Sequence, residues 1–184
     1  VCKSWAALES IFLASADIRS QLPDDTKRFE GIDSEFKDLM KEAVTVPSVV
    51  QVCTAEGRGE LLKDMTKRLE LCQKALNEYL DVKKKIFPRF YFISDDELLS
   101  VLGSSDPTAI QIHLLKLFDN CATLEFERGN HAIIGMSSAE KEHYTFEQPT
   151  QVEGPVEAWM LAVEAEMRST LNHICKEGVF KYAT

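Results

Sequence analysis

The sequence predicts a mainly α-helical fold, an elongated helical bundle carrying a small antiparallel β-hairpin or meander insertion. Three observations predict it. Phe29, Ile32, Phe36, Leu39, Met40 and Ala43 recur at helical spacing between Asp24 and Thr45. Leu62, Met65, Leu69, Cys72, Leu76 and Tyr79 step by threes and fours along one helical face. After Ala122 the period changes, and "TLEFE", "HAIIGMS" and "EHYTFEQ" are short runs rich in aromatic and β-branched residues.

Taken in order, Trp5, Leu8, Ile11 and Phe12 share the face of a first helix, and a short helix around Asp17 to Leu22 should stop at Pro23. Asp24 and Asp25 offer an N-cap and a first-turn anion to the helix over 24–45, which Pro47 should close. The stretch "SVVQVCTAEGRG" is weakly patterned and reads as a connection. The seam that follows, rejoined by Ile86, has the spacing of a coiled coil and suits a bundle helix equally well. Glu60 and Asp64 lie near its start and Lys83, Lys84 and Lys85 in its last turns. Cations there oppose the negative end of the helix dipole, each contributing about 0.3–1 kcal/mol when exposed.

Pro88 should stop that helix, because it lacks an amide hydrogen and disfavours helical geometry at Phe87. "RFYFIS" is too short for a helix and alternates too little for a half-exposed strand, so a buried extended connection is expected. Ser94 or Asp95 then caps a short helix carrying Leu98, Leu99 and Leu102, ended by Gly103. Asp106 followed by Pro107 opens another through Ile110, Leu114, Leu117 and Phe118. The three strand-like runs are separated by the turn-like "RGN" and "SAEK", and a sheet this small must lie on the helices. Gly154 and Pro155 restart helix, with Val156, Trp159, Met160, Val163, Met167, Leu171, Ile174 and Cys175 on a broad apolar face. The division is a helical bundle over 1–121, a β-hairpin insertion over 122–150 and a long helix over 151–184 packing back on the bundle.

Composition narrows function. The chain has 184 residues and a formal net charge of -9, so its field repels phosphate backbones and anionic lipid. Around the basic "KKKIFPRF", residues 59 to 89 hold eight Lys or Arg against five Asp or Glu, too small an excess for a nucleic-acid surface. Five scattered cysteines read as buried free thiols in a reducing compartment, and the lack of an initiator Met suggests a piece of a longer chain. No P-loop, Cys-x-x-Cys or His-Glu-x-x-His pattern occurs, which argues against nucleotide or metal chemistry here. His131 and His143 could face each other across strands, with surface or turn positions the default. Cys72 and Cys121 are expected to be buried rather than nucleophilic, and Asp24, Asp25, Asp95 and Asp96 to serve helix starts rather than acid-base chemistry.

"FPRFYFISDDELLSVLGSSDPTAIQIHLLKLFDN" closely resembles the signature segment of the linker region of dynein heavy chains. Upstream, Trp5, Leu8, Glu9, Ile11, Phe12, Asp17, Ile18, Leu22 and Pro23 match a Trp-x-x-Leu-Glu-x-Ile-Phe, Asp-Ile, Leu-Pro pattern. Leu69, Glu70, Gln73, Lys74, Leu76, Tyr79, Leu80, Phe87, Pro88, Arg89 and Phe90 match the run into Phe-Pro-Arg-Phe, and Glu153, Gly154, Val156, Glu157 and Trp159 a later Glu-Gly-x-Val-Glu-x-Trp segment. The resemblance covers essentially the whole chain and looks axonemal.

The resemblance implies a mechanical role: the N-terminal part of a linker that bends and straightens over a ring of AAA+ ATPase modules to drive ciliary and flagellar motility. It implies no cofactor in this segment, with ATP and magnesium in the ring of the parent chain. Implied partners are that ring and axonemal dynein assembly subunits, with microtubules only through the parent, no nucleic acid and no membrane. The implied location is the cytoplasm, cytoskeleton and axoneme of a cilium or flagellum. Structural or interaction candidates are Trp5, Leu69, Phe87, Pro88, Arg89, Phe90 and Trp159, with no catalytic or metal-binding residue. The rival reading is a helical adaptor or spectrin-like module using the seam at 62–86 to bind a partner helix.

Overall fold

A computed structural model describes residues 1–46 and 48–183, apart from the side chains of Ala14, Ala16, Asp17 and Ala183. Pro47, expected to close a helix, and the side chain of Asp17 lie outside the described residues. The chain is mainly α-helical with one three-stranded antiparallel sheet, and it divides into two compact units, Val1–Leu80 and Asp81–Thr184.

The first unit holds α1 (Cys2–Ala14), α2 (Ala16–Gln21), α3 (Pro23–Thr45), α4 (Val49–Thr54) and most of α5 (Arg58–Ile86). Ser15 caps α2 by accepting from the Ile18 amide at 3.3 Å. Pro23 does not merely end that helix, as expected; it is the first residue of α3, where its fixed φ fits and its missing N–H costs nothing. Asp24 is accordingly no N-cap, and both aspartates are first-turn anions, with Asp25 paired to Arg28. Phe29, Ile32 and Phe36 are buried along α3, Leu39 and Ala43 are half-buried and Met40 is exposed, so full burial stops about two turns sooner than the spacing implied. Phe12 stacks on Phe29 with centroids 5.4 Å apart, and Trp5 lies 4.8 Å from Phe36 while its indole N–H donates to Asp33 at 3.0 Å.

The connection after α3 contains α4, a short helix capped by Ser48, where no helix was expected. Gly57, at φ 76°, turns the chain into α5. On α5 the buried residues are Met65, Leu69, Cys72, Leu76 and Leu80, with Leu80 in place of Tyr79 and Ile86 left exposed. Steps of 4, 3, 4 and 4 drift off a strict heptad, in the direction of a straight helix. This face meets α3: the Cys72 thiol donates to the Asp25 carbonyl at 3.7 Å, and Arg68 forks onto Glu35.

The second unit begins with the last turns of α5, followed by a 3-10 turn at Pro88–Phe92, α6 (Asp95–Gly103), a 3-10 segment at Pro107–His113 and α7 (Leu114–Leu117). The expected extended connection at "RFYFIS" is thus a turn. Phe90 is fully buried, but Tyr91 and Phe92 are 58% and 66% exposed. A 3-10 turn sends successive side chains in three directions, so one of three neighbouring aromatics reaches the core. Ser94 caps α6 in a capping box with Glu97. The α-helix expected after Pro107 is 3-10 up to His113, with Asp106 accepting from the Thr108 amide at 2.9 Å.

The sheet comprises β1 (Thr123–Phe126), β2 (Ala132–Ser137) and β3 (His143–Gln151) in that order. Gly129 and Asn130, at φ 94° and 60°, make the first turn. Gly135 pairs with Thr145 and Ile133 with Thr150, so β3 bulges at 146–149. A Cβ on Gly135 would sit 2.7 Å from the Tyr144 carbonyl, and its absence also lets Glu125 reach across the central strand to His143, Oε2 to Nε2, at 2.7 Å. His131 is likewise exposed, beside the first turn.

Side chains cap part of each sheet edge. Gln111 exchanges two hydrogen bonds with the Leu124 backbone on β1, at 2.7 and 3.0 Å. On the other edge the bulge docks onto α8 (Val156–Ala183), with the Glu147 amide donating to Thr170 at 3.1 Å and the Gln148 amide to Glu166 at 3.0 Å. Three amides that could otherwise pair with another strand, those of Leu124, Glu147 and Gln148, are thereby used internally.

On α8, Trp159, Met160, Val163 and Met167 are buried, whereas Leu171, Ile174 and Cys175 are exposed. The expected apolar face continues past the bulge, whose Glu147 reaches His173 at 3.0 Å. The five cysteines are free, but only Cys72 and Cys121 are buried; Cys2, Cys53 and Cys175 are exposed, contrary to the expected burial. Burial pushes the Cys121 thiol up to about 11 and raises that of Cys72, so neither is a ready nucleophile. Among the described residues no helix is long and apolar enough to cross a membrane, and no group of three or more His, Cys, Asp or Glu could hold a metal ion.

Candidate functional site

The stretch that carries the resemblance folds into a joint within the second unit. Its first part follows from local rules: α5 stops at Ile86, Phe87 takes an extended conformation, and Pro88 starts the 3-10 turn. Phe87 and Phe90 are both fully buried, packed edge to face with centroids 4.9 Å apart, and Phe118 lies 6.2 Å from Phe87. The aromatic pair pins the turn to the end of α7, and the connection cannot shift without opening that core.

Polar contacts then tie the turn to three helices. Arg89 donates to the Leu117 carbonyl at 2.9 Å, lies with its guanidinium 4.8 Å from the centre of the Phe118 ring, and meets Glu164 of α8 through Nε at 3.2 Å. One guanidinium thus supplies a hydrogen bond, a cation-π contact and an ion pair, a combination suited to its planar fork. The Lys83 ammonium lies 2.6 Å from Glu157 Oε1, with side chains 13% and 4% exposed. Glu157 Oε2 is buried with no hydrogen-bond partner. Lys84 pairs with Asp95 at the start of α6 and sits 5.6 Å from the centre of the Tyr91 ring, while Lys85 is exposed.

The start of α6 is a second polar node. Glu97 accepts from Lys116 at 2.5 Å and from the Ser94 amide at 2.9 Å, and His113 Nδ1 lies 3.6 Å away. The Lys116 hydrogen bond and the Ser94 backbone hold its carboxyl at about 2, below the ordinary 4.5. A lowered folded value stabilises the fold above the ordinary value, and that contribution is lost as pH falls from there toward 2.

Phe87, Pro88, Arg89 and Phe90 converge on this joint, and Trp159 is buried on α8, the helix that receives Lys83 and Arg89. Trp5 and Leu69 belong to the core of the other unit. Sequence reasoning did not single out Glu157, Glu164, Glu97 or Gln111 as joint residues. Glu157 and Glu164 are seven apart, two turns on one side of α8, but nothing local says which cations they meet 74 and 75 residues earlier. The arrangement ties the end of α5, the 3-10 turn, α7 and α8 to one another through buried aromatics and ion pairs.

The family model for the dynein heavy chain, N-terminal region 2, matches residues 1–178. The chain is 56% identical over 183 residues to the Dynein-1-alpha heavy chain of the flagellar inner arm I1 complex of Chlamydomonas reinhardtii, which covers 100% of it. It is 48% identical over 185 residues to the human Dynein axonemal heavy chain 10 and 46% identical over 188 residues to the Chlamydomonas reinhardtii Dynein beta chain of the flagellar outer arm, each covering 99% of it. It spans 4% of the length of each of these relatives. By this match along nearly its whole length, the chain belongs to the dynein heavy chain family, in its N-terminal region 2.

Proposed function

We propose that the chain is a mechanical linker segment of an axonemal dynein heavy chain, part of the lever that bends and straightens over the AAA+ ring of the parent to drive ciliary and flagellar movement. The observation that carries this reading is the end-to-end match to axonemal and flagellar heavy chains at 46–56% identity. The packing supports it. A lever transmits force only if its elements resist shear, and the α3–α5 face and the Phe87–Phe90 turn are each closed by buried side chains. The axoneme is the place this reading gives the chain, with the ring and axonemal subunits as partners and microtubules reached through the parent.

ATP and magnesium belong, in this reading, to the ring. Titrating the purified chain with magnesium-ATP in a calorimeter should give no saturable binding heat, and micromolar binding would refute the noncatalytic assignment. The adaptor reading needs the α5 face open, yet Met65, Leu69, Cys72 and Leu76 are buried within their own unit. An inner-arm parent is favoured over an outer-arm one by 56% against 46% identity to the two chains from one organism.

A further inference from the structure

Glu164 is claimed by two arginines. Arg168, four residues on along α8 and 74% exposed, reaches Oε1 at 2.6 Å, and Arg89 reaches that same oxygen through Nη2 at 3.4 Å and Oε2 through Nε at 3.2 Å. We propose that Arg168 competes with Arg89 for the Glu164 carboxylate, making the contact between the 3-10 turn and α8 an exchangeable ionic joint.

Each partner has a fallback. If Arg89 lets go, it keeps the Leu117 carbonyl and the Phe118 ring, and Glu164 keeps Arg168, so no buried charge is stranded. Partly exposed pairs of this kind are weak and screened by salt. Two turns earlier the situation is opposite. Glu157 is buried, its second oxygen has no hydrogen-bond partner, and separating it from Lys83 would leave an uncompensated charge. The two contacts are about 10 Å apart along the helix axis. The Glu157 end of α8 is therefore the fixed point and the Glu164 contact the releasable one. The sheet would move with α8, because its bulge hydrogen-bonds Thr170 and Glu166.

The test is backbone hydrogen exchange at residues 158–166 in the unmodified chain and in Arg168→Ala. Losing an intrahelical pair would by itself speed exchange. Removing a competitor instead strengthens the Arg89 contact, so exchange should slow by about two- to fivefold, the range such ion pairs span. In an Arg89→Gln background the same substitution should speed it. Arg168→Lys, which keeps the competing charge, should not slow exchange and serves as the second comparison should Arg89→Gln not fold. Faster or unchanged exchange in Arg168→Ala with Arg89 present would overturn the proposal.

Discussion

Replacing Leu69 by Ala should lower the stability of the Val1–Leu80 unit by about 2–5 kcal/mol, because the site cannot collapse around the lost atoms. Leu69 is 1% exposed and lies between Met65, Cys72 and Leu76 on the buried face of α5. A fixed helix backbone supports that face, and α3 is tied to it by the Cys72 thiol and by Arg68. The chain has two tryptophans, Trp5 and Trp159, one in each unit. Urea unfolding read from Trp5 fluorescence in a Trp159→Phe background isolates the first unit. An unshifted midpoint would remove Leu69 from the core and weaken the case that the α5 face is closed.

The second large effect concerns Lys83. Its sequence position explains it as a cation at a helix C-terminus, and on that basis replacement should cost about 0.3–1 kcal/mol. The structure places it against a buried Glu157 instead. Lys83→Met then strands a carboxylate and should cost about 3–5 kcal/mol. The double change, Lys83→Met with Glu157→Leu, should recover most of that loss, since replacing both partners of a buried pair by apolar groups leaves no charge to solvate. Trp159 fluorescence in a Trp5→Phe background reports the second unit. A single-variant loss within the dipole range would return Lys83 to an ordinary helix-end cation.

These cases show where the sequence was legible. Helices announce themselves through a 3.6-residue apolar period, and α3, α5 and the first half of α8 follow it. The strands were legible because β-branched and aromatic runs sit between turn residues. Other features share their local signals with alternatives. A capping aspartate before a proline starts a 3-10 segment at Pro107 as readily as an α-helix, and the same residue types fit either state of Pro88–Phe92. The drift from Tyr79 to Leu80 depends on whether the helix supercoils, which six positions cannot decide.

The joint was legible in its aromatics and its proline, but not in its charges. Phe87 and Phe90 are large apolar residues beside a helix stop, so burial was the natural reading. Arg89 was singled out by the resemblance alone, and its partners Leu117, Phe118 and Glu164 are contacts made by the folded chain. The bulge at 146–149 carries no local marker, yet it decides how the sheet docks on α8. Exposure of Leu171, Ile174 and Cys175 was likewise hidden, because periodicity shows that a face exists and not how far its neighbours extend.

The most direct test of the lever assignment is microtubule gliding and ATP hydrolysis measured together on the parent motor carrying Lys83→Met. A segment that transmits force without taking part in the chemistry should lose gliding velocity while hydrolysis persists. Gliding at the unmodified rate, or hydrolysis lost in step with gliding, would contradict it.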